Sequence, residues 1–150
     1  MAKSDIVTTN RQALRDYTVE KVYEAGIQLF GNEVKSLRTG TSNLKGSYAR
    51  IDNGEIFLYN MHISPYAFSR EEVDPIRRRK LLMHRIEIVH LHSKISREGY
   101  TLVPLKVFFK RGYAKVELAL AYGKKLHDKR SAIKEKQAKR ELAQSVRRRR

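Results

Sequence analysis

The side chains in this sequence with the most chemistry to offer are cations. Lys35, Arg38, Lys45 and Arg50 are spaced through the first third, and Arg77-Arg78-Arg79-Lys80 form an unbroken basic run. From Gly123 to Arg150 there are 12 Lys or Arg against 3 Asp or Glu, ending in four arginines. Guanidinium and ammonium groups at this density neutralise phosphates and release their counterions, so the chemistry they specify is binding of a polyanion. Groups for covalent chemistry are poorly arranged. With no cysteine, thiolate catalysis, Cys-based zinc sites and a stapled secreted scaffold are excluded together. The histidines His62, His84, His90, His92 and His127 show no H-E-x-x-H or comparable ligand spacing. Most of the 16 carboxylates sit beside bases, and no G-x-S-x-G signature supplies a nucleophile. No metal, cofactor or reaction is expected, and a small basic nuclease is the enzymatic form that would suit this charge.

Two phosphate- or base-binding patterns fail on inspection. Gly26 and Gly31 have the spacing of a P-loop opening, but Asn32 and Glu33 stand where Lys and Ser or Thr must meet phosphate and magnesium. Arg111-Gly112-Tyr113-Ala114 opens like an RNA-recognition motif, yet Lys115 and Leu118 replace aromatics that would stack on bases. Single-strand readout across an open sheet is therefore the second-ranked mechanism, and it requires aromatics that face outward.

Charge also divides the chain. The segment from Gly123 onward carries +9 of the formal +16 and contains neither aromatic nor proline. It is expected to be a tail without a core, disordered when free and helical on a binding surface. Residues 1–122 form the body, with 1–9 expected to be flexible. Met1 to Asn10 lack an apolar h-region and about 18 consecutive apolar residues occur nowhere, so export and membrane spanning are not expected. A reducing cytoplasm is the default compartment, and a monomer is expected because no heptad seam or long apolar edge is present.

The body must position its cations with strands. Tyr17 to Phe30 shows the period of a long strand, and Asn32 is placed to cap a short helix over Glu33 to Arg38, with Gly40 as its stop. Ser47 to Ile51 and Glu55 to Ile63 flank Asp52-Asn53-Gly54, a hairpin signal of type I′. Asp74-Pro75 reads as the start of a helix reaching about Ile95, with Leu82, Ile86, Val89 and Ser93 on one face and Gly99 ending it. The arginines at 77–79 would then oppose the helix dipole, a placement that binding of phosphate would explain. A second hairpin turns at Arg111-Gly112, with Val103, Leu105, Val107 and Phe109 on one face and Pro104 at an edge or bulge. The fold class is mainly β: an antiparallel sheet curled into a small barrel, with two or three helices. In the tail, Asp128 is placed to cap a helix, with Glu135 and Lys139 as an i, i+4 pair.

One segment, Gly31-Asn32-Glu33-Val34-Lys35-Ser36-Leu37-Arg38-Thr39-Gly40 followed by Asn43-Leu44-Lys45-Gly46-Ser47-Tyr48-Ala49, resembles the signature of the small protein B family of transfer-messenger RNA-binding proteins. His62 to Tyr66, Asp74-Pro75 through Arg79-Lys80-Leu81-Leu82, Thr101 to Lys106 and Gly123 to Arg130 follow in the family's order. The resemblance implies an OB-like barrel that binds the tRNA-like domain of transfer-messenger RNA, and a tail that enters the empty messenger channel of a stalled ribosome. Implied partners are that RNA, the ribosome and, through the RNA, elongation factor Tu and alanyl-tRNA synthetase. The implied RNA-binding residues are Asn10, Arg11, Glu33, Lys35, Ser36, Arg38, Lys45, Tyr48, Arg79, Lys80 and Leu82. Gly123, Lys124, Lys125, His127, Asp128, Lys129 and Arg130 are the implied ribosome-binding set. Glu33 is the odd member, since a carboxylate opposes phosphate; it would accept from a base amino group, a ribose hydroxyl or a positioning arginine. A general ribosome-associated protein whose tail threads through ribosomal RNA would explain the same charge.

Overall fold

The computed structural model describes residues 5–39, 41–67, 72–124 and 137–144. The described body runs in the order β1 (Asp5–Thr9), α1 (Arg11–Asp16), β2 (Tyr17–Ile27), α2 (Gly31–Arg38), β3 (Ser42–Asn43), β4 (Tyr48–Asp52), β5 (Glu55–Tyr59), β6 (His62–Ile63), β7 (Arg79–Leu82), α3 (Arg85–Glu98), β8 (Thr101–Lys110) and β9 (Tyr113–Gly123). Residues 137–144 are also helical and exposed. The main sheet runs β1-β8-β4-β5-β7-β2-β9, and pairing of β8 with β9 closes it into a ring. All pairings are antiparallel, as hairpin connections require. The seam between β4 and β8 is short, with Ala49 opposite Leu102.

The long β2–β9 and β8–β9 ladders form the rigid wall. Both hairpins turn as their sequences require: Asn53 and Gly54 have φ of 50° and 77°, and Arg111 and Gly112 have 53° and 81°. Ile56, Leu58, Leu81, Leu102, Val107, Leu118 and Leu120 fill the barrel, and α3 plugs it with Ile88 and Leu91. A smaller cluster lies outside, where Ala13 of α1 packs on Val103, Leu105, Ala119 and Ala121. A register shift between Pro104 and Lys106 separates the two layers. Pro104 thus sits at a bulge, and the extra residue there reverses the side-chain phase, so Val103 and Leu105 face α1 while Val107 and Phe109 face the barrel. The single alternating face expected for these four residues is corrected accordingly.

Four further expectations change. Residues 5–9, expected to be flexible, pair with β8. The helix expected from Pro75 is two elements, because Arg79 to Leu82 pair with β5 and β2 and α3 begins only at Arg85. The face expected to carry Leu82, Ile86 and Val89 is not one helix face, and it is exposed: Ile86 is 84% accessible and Leu82 and Val89 are also exposed, while Ile88 and Leu91 turn inward. The α2 N-cap is Phe30 rather than Asn32, and Gly40 lies outside the described residues. Gly99 ends α3 at φ 72° as expected.

The two faces of α3 give a direct check on this packing. Leu91→Ala should cost about 2–5 kcal/mol in chemical denaturation, whereas Ile86→Ala should stay within about 0.5 kcal/mol. Comparable losses at the two positions would place the wrong face in the barrel.

Candidate nucleic-acid interface

Glu33, in the first turn of α2, is only 4% exposed, and Arg79 at the start of β7 is 0% exposed. Arg79 donates from Nε to Glu33 Oε2 at 2.8 Å, with Nη2 at 2.7 Å from the same oxygen. Its remaining donors reach the carbonyls of Met61 and, at 3.0 Å, Pro75. Arg77 donates to both Glu33 oxygens, from Nε at 3.2 Å and from Nη2, while its guanidinium lies 4.1 Å from the Phe30 ring centroid. The Phe30 backbone N–H donates to Glu33 Oε1 at 3.0 Å. Burial pushes the Glu33 pKa up, but the bonds from Arg77, Phe30 and Arg79 outweigh it and hold the carboxyl below its ordinary value of 4.5. Desolvation lowers the Arg79 pKa against the opposing pull of Glu33. Of the three partners open to Glu33, the structure supplies positioning arginines. Glu33 and Arg79 are turned inward, with almost no side-chain surface exposed.

Asn10 and Ser36 are buried as well. The Asn10 side chain accepts from Ala13 N at 3.2 Å, capping α1, and donates to Pro104 O at 3.0 Å. Ser36 is buried, and its carbonyl accepts from the hydroxyls of Thr39 and Thr41. Lys35 and Arg38 are exposed beside them, with Lys35 Nζ 5.5 Å from the Tyr66 ring centroid and the Arg38 guanidinium 4.5 Å from that of Phe109. Arg11 is exposed on α1. Lys45 and Tyr48 meet Asn10 along a cleft of about 420 Å³ between α1 and the entry to β4.

A larger cleft, about 830 Å³, lies between the β2–β7 edge and the start of α3. It brings Lys80 and Leu82 together with Glu24, His84, Arg85 and Lys115. Leu82 is 54% exposed, an apolar side chain left in water among charges. Gly26 lies opposite it, where an added Cβ would come within 3.3 Å of Leu82 Cβ, so glycine permits the close approach of β7. Glu24 pairs with Lys110 at 3.3 Å and Lys115 at 4.0 Å, and Lys80 with Glu55 at 3.2 Å. Glu24, Arg85 and Lys115 were not identified from sequence. Their grouping depends on Gly26 opposing Lys115 across β2–β9 and on β7 being a strand, neither of which periodicity supplies.

The outer face of β4–β5–β7 does present aromatics. Tyr48 stacks on Tyr59 at 5.4 Å, and the Arg78 guanidinium sits 4.3 Å from the Phe57 centroid. One face of each ring is taken up by its neighbour or by Arg78, on a closed ring rather than an open sheet. Gly123 pairs with Tyr17, and Lys124 N donates to Asp16 O at 2.9 Å, so these two residues belong to the edge of the body. Lys125, His127, Asp128, Lys129, Arg130 and Glu135 lie outside the described residues. Among the described residues no cluster of His, Cys, Asp or Glu could hold a metal, and no helix is long and apolar enough to cross a membrane.

Comparison with known proteins converges on one family. The SmpB protein family model matches residues 7–148. The chain belongs to the SmpB family. Similar SmpB-family members include SsrA-binding proteins of Caldanaerobacter subterraneus subsp. tengcongensis, 57% identical over 91% of this chain and 87% of the relative, and of Geobacter sulfurreducens, 55% identical over 95% and 94%. A solved chain described as "tmRNA-SmpB: a journey to the center of the bacterial ribosome" is 50% identical, covers 84% of this chain and 93% of its own, and superposes with a TM-score of 0.68. The mainly β, ring-like fold expected from sequence agrees with that SmpB chain.

The Glu33 cluster makes a pH-dependent contribution. Its folded pKa is depressed, so the stabilisation is fully present above the ordinary value of 4.5 and is lost as pH falls through the lower folded value. Glu33→Gln leaves Arg79 buried without its counter-charge and should cost about 3–5 kcal/mol at pH 7. The gap between variant and parent in urea denaturation should shrink below pH 4.5; a gap independent of pH would contradict an ionised Glu33.

Proposed function

We propose that this chain is an RNA-binding adaptor that binds the tRNA-like domain of transfer-messenger RNA and delivers it to stalled ribosomes. The larger cleft carries the reading: it places Lys80, Arg85 and Lys115 around exposed Leu82, with carboxylates between them. Cations there meet phosphates, Leu82 packs on a ribose or base face, and Glu24 excludes the phosphate arrangements that do not fit. Lys35, Arg38, Lys45 and Tyr48 extend the contact as exposed or half-exposed groups. Glu33, Arg79, Asn10 and Ser36 support the surface from within.

The tail serves the ribosome. Among the described residues, the last hydrogen bond to the body is made by Lys124, while Lys115 lies in the cleft at the other end of β9. Eight residues of extended strand separate Lys115 from Gly123, roughly 27 Å. RNA at the cleft thus leaves the basic segment free to occupy the messenger channel and decoding centre, where Lys125, His127, Asp128, Lys129 and Arg130 would act. Its helix at 137–144 presents Lys139 and Arg140 on an exposed surface. No reaction is assigned to the chain; elongation factor Tu and alanyl-tRNA synthetase meet it through the RNA, in the cytoplasm. Its similarity to SsrA-binding proteins supports the reading.

The test compares the full chain with one truncated after Lys124, binding transfer-messenger RNA against elongator transfer RNA over a salt series. Truncation should leave selectivity intact and abolish peptide tagging on stalled ribosomes. Lys115→Ala should weaken binding and reduce the salt slope by about 0.9. Loss of selectivity with the tail would transfer RNA recognition to nonspecific attraction and sink the adaptor reading.

A further inference from the structure

We infer that Glu33 and Arg79 are positioning residues for RNA: a buried latch that fixes the register of β7 and so presents Lys80 and Leu82 to the cleft. The inference deepens the proposed function and rests on its assignment of that cleft to RNA.

β7 has four residues, and successive side chains must alternate between barrel and surface. Arg79 and Leu81 point inward, and Lys80 and Leu82 outward. A slip of one residue would bury the lysine and expose Leu81. Apolar patterning resists this slip weakly, because both Leu81 and Leu82 are leucine and could fill an inward position. The strand's hold on β2 is short, with Gly26 opposite Leu82, Ile27 opposite Leu81, and one further bond from Gln28 N to Lys80 O at 2.9 Å.

Arg79 supplies the missing specificity. A buried guanidinium needs acceptors for its donors, and this one finds them on three separate segments: Glu33 of α2, the Met61 carbonyl after β5, and the Pro75 carbonyl on the approach to β7. No other residue of β7 could satisfy that set. Arg77 adds a second link from the approach segment to Glu33. The exposed Lys80–Glu55 pair cannot do the same work, because a solvated ion pair holds its partners loosely. Glu33 and Arg79 therefore influence RNA through the strand that follows them.

A double-mutant cycle tests this in the full chain, using transfer-messenger RNA over a salt series, with circular dichroism confirming that each variant is folded at the assay temperature. Lys80→Ala should weaken binding and reduce the salt slope by about 0.9, the loss of one phosphate contact. Glu33→Gln should reproduce that loss of slope although it removes a buried negative charge. The double variant should bind no worse than the weaker single variant, because the two changes remove one contact. A purely structural role for Glu33 would lower the melting temperature while leaving the slope of the folded protein unchanged. Losses that multiply in the double variant, or an unchanged slope in Glu33→Gln, would overturn the latch alone. No effect of Lys80→Ala would overturn the RNA assignment of the cleft. If Glu33→Gln does not fold, Arg79→Lys enters the same cycle with the same criteria, since it keeps the charge beside Glu33 but loses the fork to Met61 and Pro75.

Discussion

The barrel wall on its cleft side depends on a charge taken out of water. Arg79 has no solvent exposure, and the cost of dehydrating a guanidinium is met only because Glu33 lies beside it and two carbonyls accept its other protons. Such a pair is a poor source of net stability, since apolar side chains of similar volume often do as well. Its value lies in having one solution. A buried leucine tolerates a neighbour's shift, whereas a buried guanidinium 2.8 Å from its acceptor does not. Four chain segments without a common element are thereby referred to one another.

The consequence is a division between geometry and contact within a single short motif. Glu33 and Ser36 lie on the inner side of α2, and Lys35 and Arg38 on the outer side. In β7 the same division falls between Arg79 and Lys80. Polar residues in one run therefore serve two ends: those turned inward hold the element, and those turned outward remain available to a partner. Gly26 contributes through absence of a side chain, allowing Leu82 to lie close against β2 while still exposed.

Sequence made the two hairpins legible because their turns are local: positive φ at Asn53-Gly54 and Arg111-Gly112 is a property of those residues. The long ladder of β2 was also legible, since eleven residues give periodicity room to show. β7 was hidden by its length. Leu82, Ile86 and Val89 happen to carry helical spacing across a strand, a turn and a helix, and the stripe they make faces solvent. α1 was hidden because six residues offer less than two turns of pattern. The bulge at Pro104 was anticipated, but its effect on phase was not, and so two layers of core were read as one. At the candidate site, residue type picked out segments but not exposure. The motif around Glu33 was legible, but the burial of its inward members was not, because that of Glu33 depends on Arg77 and Arg79, more than 40 positions away.

Opposite charges are mixed to different degrees along the chain. The tail segment has four times as many bases as acids, and attraction of that kind is indifferent to the order of phosphates along an RNA. In the larger cleft Glu24, Glu55 and Glu87 stand among Lys80, Arg85 and Lys115, so its field changes sign over the width of a few side chains. A surface of alternating sign gains little from an arbitrary polyanion and most from one whose phosphates and hydroxyl donors fall in matching places. Holding those places requires a rigid wall behind them, which the β2–β9 ladder and the Arg79 latch supply. Among the described residues, that combination of mixed charge and rigid backing belongs to the body.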